Sequence, residues 1–208
     1  MGSLNIMKIY MLDEVLQFAN ELNEIETIIH KINELAKRSN VIIQHITVNG
    51  EPLEEDFYGY LTEHMAQIEE IRVETIAERE HIDQLIVRST EYLGRALPEL
   101  DAFTNRIYQG FSDEVWSTFH SFIEGLEYII ITLESIRSAR SPYMSFSSSE
   151  VYLQQIHASL QQLMEASTDK DNSLIADLIH YEFKPLLADL HHELGETLDC
   201  EVKRDDLQ

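Results

Sequence analysis

Carboxylates and histidines that could hold a metal ion recur near the end of the chain. Asp177 precedes His180 by three residues, and Asp189 precedes His192 by the same interval. This spacing puts both side chains of a pair on one face of a helix, as in di-metal helical-bundle enzymes. One hypothesis is therefore a metal-dependent enzyme that uses Asp177, His180, Asp189 and His192. The chain holds nine histidines and 38 acidic residues, so chance also produces such pairs.

Motifs for other kinds of catalysis do not occur in the sequence. Many hydrolases carry Gly-x-Ser-x-Gly, and many nucleotide sites carry a P-loop or Gly-x-Gly-x-x-Gly. The seven glycines form none of these patterns. We therefore expect no cofactor, and we favour a protein that is not an enzyme.

An acidic and aromatic stretch is suited to recognition of another protein. Glu54, Glu55 and Asp56 come just before Tyr58 and its aromatic neighbours. Aromatic side chains ringed by carboxylates can receive a basic, apolar peptide. We predict a partner-binding patch at Glu54, Glu55, Asp56 and Tyr58. The alternative is that the neighbouring aromatic residues form the buried face of a helix and leave Tyr58 at its edge.

A second candidate surface lies in the serine-rich segment 138–149. Tyr143 and Phe146 stand there among small polar residues and Pro142, a composition typical of a linker. Such a segment could fold onto a partner through Tyr143 and Phe146. An ordinary packed crossover between two helices is an equal alternative.

The charge balance narrows the class of partner. Acidic residues outnumber basic ones by 38 to 15, which gives a formal net charge of −23. A surface this negative repels phosphate backbones and anionic lipids, so we expect no direct nucleic-acid or membrane binding. A basic protein is the favoured partner, and mimicry of nucleic acid is a further alternative. A homodimer formed through a broad apolar helix face is also open.

The cysteine content and the first residues favour the cytoplasm. Cys200 is the only cysteine, so no disulfide can form within the chain. Residues 1–7 lack the basic segment and apolar core of an export signal. The most apolar run, residues 128–133, is much shorter than the roughly 20 residues of a membrane span. We predict a cytoplasmic protein.

Hydrophobic periodicity predicts helices and two strands in the first part of the chain. Apolar residues at spacings of three and four favour one helix from Leu12 to Ala36. Residues 41–48 are rich in β-branched side chains and stop at Asn49-Gly50, which is typical of a strand and a turn. A second strand is predicted near residues 71–75. One helix-sized segment separates the strands, so we expect parallel pairing.

The rest of the chain has the pattern of a helical bundle. Ser112 is a good N-cap for a long helix whose broad apolar stripe should make it central. The last helix is expected to kink at Pro185 and to end at Gly195.

These elements define the predicted fold and its division. The fold class is mainly α (α+β), a helical bundle with a small two-stranded β-α-β element near residues 41–76. We predict one domain over residues 1–195, with an internal linker at 138–149. Residues 196–208 have few apolar side chains and are expected to form a frayed acidic tail.

Two stretches of the sequence resemble known proteins. Residues 46–61 (ITVNGEPLEEDFYGYL) and 174–187 (LIADLIHYEFKPLL) resemble uncharacterised acidic helical proteins of Gram-positive bacteria. The resemblance implies a bacterial cytoplasmic origin, and it implies no activity or ligand.

The function that the sequence favours is non-enzymatic protein binding. A strong negative field without a catalytic motif suits an adaptor or chaperone-like factor that binds a partner through an acidic surface with aromatic anchors. The metal-dependent enzyme is the alternative from another class, and the nucleic-acid mimic ranks third.

Overall fold

The computed structural model describes residues 5–54 and 56–202. It is mainly α-helical and contains one mixed five-stranded sheet, so the mainly α (α+β) class is confirmed. The chain divides into two compact units, Met1–His81 and Ile82–Gln208, and each has its own cluster of buried apolar residues. A single core is the basis for predicting one domain over residues 1–195. That the two units form one domain stays a prediction.

The first unit contains the sheet and two helices that cover it. Its elements are β1 (Ile6–Met11), β2 (Glu14–Ala19), α1 (Ile25–Ser39), β3 (Val41–Val48), β4 (Glu51–Pro52), α2 (Phe57–His64) and β5 (Glu70–Ala77). The strand order is β2-β1-β5-β3-β4, in which β1 and β5 are parallel and the other pairs are antiparallel.

Alternation along the central strands creates the core of this unit. Met7, Ile9 and Met11 of β1 are at most 1% exposed, whereas the residues between them are exposed or half-buried. In β5, Ile71 and Val73 lie on the same face, because they pair directly with Ile9 and Met11. The buried stripe of α1 belongs to the same cluster.

The predicted helix over residues 12–36 is wrong in its first half. Leu12 has a left-handed φ of 54° and lies in the turn between β1 and β2, so residues 14–19 pair with β1 as a hairpin. The alternating apolar residues of β1 supply a partner strand, and that tertiary pairing overrides the local helical spacing. Helix α1 begins only at Ile25.

The predicted parallel pairing of the two strands is also wrong. Strands β3 and β5 do pair, but antiparallel and within the five-stranded sheet. The cause lies at Asn49, whose Oδ1 accepts hydrogen bonds from the backbone N–H groups of Glu69 (2.8 Å) and Glu70 (3.0 Å). These bonds tie the end of β3 to the start of β5, so the segment between them leaves and returns at one end of the sheet.

The described residues of the second unit form helices and connecting segments and no strand. Its elements are α3 (Glu78–Ala96), which starts four residues before the unit, α4 (Leu100–Gln109), α5 (Asp113–Ser138), α6 (Ser149–Thr168), α7 (Asn172–Asp177), a π-helix (Leu178–Phe183) and α8 (Lys184–Cys200). Helix α5 is the longest, and its N-cap is Ser112, whose Oγ accepts a hydrogen bond from the N–H of Val115 (3.3 Å).

The end of the chain differs from the predicted helix end at Gly195 and from the predicted tail. A π-helix precedes Pro185, because proline cannot donate the ordinary helical hydrogen bond and the wider turn accommodates it. The last helix then continues past Gly195 to Cys200, and Thr197 is fully buried. Residues 203–208 of the predicted tail lie outside the described residues. In the described part of the chain, no helix is both long and apolar enough to cross a membrane.

A close approach between α3 and α5 yields a stability prediction. A Cβ atom at Gly125 would lie 1.8 Å from the Tyr92 hydroxyl oxygen and 2.2 Å from its Cζ, so the whole ring would have to move. We expect Gly125→Ala to lower the free energy of unfolding by about 1–3 kcal/mol in urea denaturation. The matched control is Gly195→Ala, where a Cβ meets nothing within 4 Å. That change should be neutral or stabilising, and equal losses from both variants would contradict the packing described.

Candidate functional site

Helix α5 carries more apolar surface than the core covers. Its inward face, from Val115 to Ile136, is buried in the main cluster of the second unit. On other faces of the same helix, Trp116 is 49% exposed, and Phe119 and Ile123 are half-buried. An exposed apolar face of this breadth on an acidic protein is a candidate binding surface.

Helix α6 completes a groove beside this face of α5. Nine residues line a hollow of about 530 Å³, and its floor is formed by Leu126 and Leu163, each 2% exposed. Met164 lines the hollow and is 70% exposed, which is unusual for a large apolar side chain. The lining residues are Phe119, Ile123, Leu126, Glu127, Leu160, Leu163, Met164, Ser167 and Thr168. We call this the α5/α6 groove.

A second hollow of about 660 Å³ adjoins the groove along α6. It shares Leu160, Met164 and Thr168 with the first hollow. Its other lining residues form one polar row at four-residue intervals: His157, Gln161, Glu165 and Asp169. An apolar row and a polar row therefore run side by side along α6.

Aromatic rings extend the groove towards the start of α5. The ring of Trp116 lies 4.4 Å from that of Phe111 and 5.9 Å from that of Phe119, measured between centroids. Phe119 also lines the groove. Tilted and edge-on contacts of this kind hold the rings in a fixed arrangement, which is suited to anchoring a ligand's apolar groups.

The charges at the rim of the groove are negative. Glu127 stands on the α5 side, while Glu165 and Asp169 stand on the α6 side. None of the residues that line the two hollows is lysine or arginine. The C-terminal end of α6 adds the negative end of its helix dipole at Thr168.

A separate polar cluster joins α4 to the π-helix. The Asp101 carboxylate contacts Nδ1 of His180 (3.2 Å) and accepts a hydrogen bond from Nζ of Lys184 (2.5 Å). Two turns further along α4, the Tyr108 hydroxyl donates a hydrogen bond to Asp177. These contacts tie the end of α7, the π-helix and the start of α8 to α4, and they account for the positions of Asp177 and His180.

The contacts in this cluster shift two pKa values. The Lys184 hydrogen bond, with the positive charges of Lys184 and His180, lowers the pKa of Asp101 despite the opposing effect of burial. The hydrogen bond to Asp177 is the largest cause that raises the pKa of Tyr108, to about 12, and burial adds to it.

The structure does not bring the four predicted metal ligands together. Asp177 contacts Tyr108, His180 contacts Asp101, Asp189 is exposed, and Nε2 of His192 lies 3.7 Å from Glu196. Across residues 5–54 and 56–202, no group of three or more His, Cys, Asp or Glu side chains is placed to hold a metal ion. The metal-dependent enzyme stays a hypothesis.

The predicted acidic and aromatic patch is placed as follows. Asp56 caps α2, because its Oδ2 accepts a hydrogen bond from the N–H of Gly59 (2.7 Å). Glu54 is exposed, and Tyr58 is 52% exposed. Glu55 lies outside the described residues. Binding at this patch stays a prediction.

Tyr143 and Phe146 are core residues, which corrects their assignment to a partner surface. Each is 3% exposed, and the Tyr143 hydroxyl donates a hydrogen bond to buried Asp83 (2.6 Å). The Phe146 ring stacks on that of Tyr152 with centroids 6.1 Å apart. The segment between α5 and α6 is thus a packed crossover, as the second of the two alternatives from the sequence predicts.

The α5/α6 groove is not predicted from the sequence. The apolar breadth of α5 predicts a central helix, yet Trp116 and Ile131 are about half exposed. The available signal was on α6, where Val151 and Met164 lie outside the row of buried residues. Periodicity alone does not identify which of two apolar faces a neighbouring helix covers.

Comparisons with known proteins divide the chain in the same way as its two units. A family model described as domain of unknown function (DUF8042) matches residues 84–193, which is more than half of the chain. A second model, described as the TP0873 N-terminal domain, matches residues 7–77. Neither a curated protein nor a solved structure matches the chain. The groove lies within the first matched range.

The Tyr108–Asp177 contact gives a prediction about pH. A pKa raised from 10.0 to about 12 stabilises the fold below the ordinary value, and this contribution is lost as pH rises through the raised value. In Asp177→Asn we expect the Tyr108 pKa to return towards 10. The measurement is NMR of ¹³Cζ-labelled tyrosine from about pH 8 to about pH 11.5, with Tyr108→Phe to assign the signal. Over this range the Tyr108 signal of the parent should shift little, whereas that of Asp177→Asn should pass through its midpoint. Identical titration curves in the parent and Asp177→Asn proteins would contradict the contact.

Proposed function

The chain belongs to the family described as domain of unknown function (DUF8042), and we propose that it is a non-enzymatic protein that binds another protein through the α5/α6 groove. The observation that carries the proposal is an apolar groove, about 530 Å³ in volume, whose wall includes the 70%-exposed Met164. A contiguous exposed apolar surface rimmed by polar residues is typical of an interaction site, so an uncovered apolar groove favours a binding role.

The composition of the groove supports protein binding over small-molecule chemistry. Six of its nine lining residues carry aliphatic, aromatic or thioether groups, and the other three are Glu127, Ser167 and Thr168. Methionine has three rotatable bonds and a polarisable sulfur, so Met164 can adapt to the side chains of a partner. The ordered rings around Trp116 offer large apolar contacts at small entropic cost, as binding hot spots do.

The charge of the chain supports a basic partner. A net charge of −23 steers positively charged proteins towards it and repels nucleic acids and anionic membranes. The acidic rim at Glu127, Glu165 and Asp169 concentrates this effect at the groove. We include an adaptor or chaperone-like role in this proposal, because neither role requires catalysis.

We also propose that this binding takes place in the bacterial cytoplasm. The single cysteine suits a reducing compartment, and the resemblance of residues 46–61 and 174–187 to proteins of Gram-positive bacteria supports a bacterial setting.

Photo-crosslinking in the cells of origin tests the proposed function. The photoreactive residue p-benzoylphenylalanine replaces Met164 in one strain and Met144 in another, since both are exposed methionines and only Met164 lines the groove. We expect irradiation to attach a second, different polypeptide at position 164 and none at position 144. Equal adducts at both positions, no adduct at 164, or adducts only with another copy of the chain would contradict the proposal.

A further inference from the structure

The walls of the groove have the dimensions of a seat for one more helix. On α5 the wall runs from Phe119 to Glu127, and on α6 it runs from Leu160 to Thr168. Each wall therefore spans eight residue intervals, which is about 12 Å of helix. Two helices with an apolar furrow between them are most readily covered by a third helix that lays its side-chain ridge into the furrow.

The two rows of side chains on α6 indicate which residue types the third helix would carry on each of its faces. Leu160, Met164 and Thr168 face the furrow, and the row of Gln161, Glu165 and Asp169 runs next to them on the outer side. A helix seated in the furrow would place its apolar stripe on the first row. The residues that flank its stripe would then face the second row, which carries two carboxylates and no lysine or arginine.

The negative charge of the groove favours a basic helix over two other occupants, a second copy of the chain and an anionic membrane. A second copy of the chain would bring its own −23 charge and, in a symmetric dimer through this face, would bring two acidic rims together. An anionic membrane would meet the same repulsion from Glu127, Glu165 and Asp169. A helix with lysine or arginine beside its apolar stripe meets attraction instead.

Resting on the proposed function, we infer that the groove binds an amphipathic helix of a partner protein that carries lysine or arginine along the edge of its apolar stripe. The stripe packs between Phe119 and Met164, and the basic edge lies against Glu165 and Asp169. Such binding is expected to weaken as salt is added, because the rim charges are exposed to solvent.

A defined peptide tests this inference on the full chain. The probe is a tryptophan-free helical peptide with leucines at the spacing i, i+3, i+4, i+7 and lysines at its other positions. Its controls are a scrambled peptide of the same composition and a peptide with glutamate in place of lysine. Trp116 is the only tryptophan of the chain, and its ring neighbours that of Phe119 in the groove wall, so its fluorescence reports binding.

Two pairs of variants separate the groove from general charge attraction. We expect Met164→Glu to weaken binding of the lysine peptide about tenfold or more, because it places a charge in an apolar contact. We expect Met144→Glu to leave the affinity for this peptide unchanged. The double variant Glu165→Lys with Asp169→Lys should bind the lysine peptide more weakly and the glutamate peptide more tightly. The scrambled peptide should bind at least about tenfold more weakly than the probe.

Several results would overturn the inference. These are equal binding of the probe and the scrambled peptide, no effect of Met164→Glu, and a Met164-dependent response to vesicles of anionic phospholipid. A Met164-dependent dimer in light scattering would also overturn it. If crosslinking at position 164 captures a partner in cells but the probe fails these tests, the proposed function stands and the helical, basic occupant is wrong.

Discussion

The structure of the second unit depends on the burial of one face of α5. Its inward residues hold the main core together, and the buried hydroxyl pair of Ser89 and Thr132, 2.8 Å apart, fixes its position against α3. This helix is apolar over more than one face, and α6 covers only part of the remainder. The groove is the direct consequence, because Phe119 and Ile123 lie on the part that α6 leaves open.

In the first unit the corresponding constraint is hydrogen bonding at Asn49. This residue has a left-handed φ of 52°, ends β3, and accepts two hydrogen bonds from the backbone at the start of β5. Asparagine tolerates this backbone conformation and offers a side-chain acceptor and donor, so one residue both turns the chain and sets the register of two strands. The sheet order follows from this tie and from the parallel pairing of β1 with β5.

The sequence predicted the elements that local physics determines. Hydrophobic periodicity predicts the apolar stripe of α5, and capping chemistry predicts its N-cap at Ser112. Both are present in the structure. The hairpin of β1 and β2 was missed, because the helical spacing after Leu12 is overridden by pairing with a strand that local patterns did not reveal. The exposure of Met164 could not be predicted either, since it depends on how far α6 lies over α5.

The central claim is that the α5/α6 groove is open in the free protein, and methyl NMR with a soluble paramagnetic agent tests it most directly. Met164 should lose intensity to a similar extent as Met144, which is 87% exposed, whereas the buried methyl groups of Met7, Met11 and Met65 should be protected. A Met164 signal as protected as those three would show that the apolar face is covered in solution, and it would contradict the account.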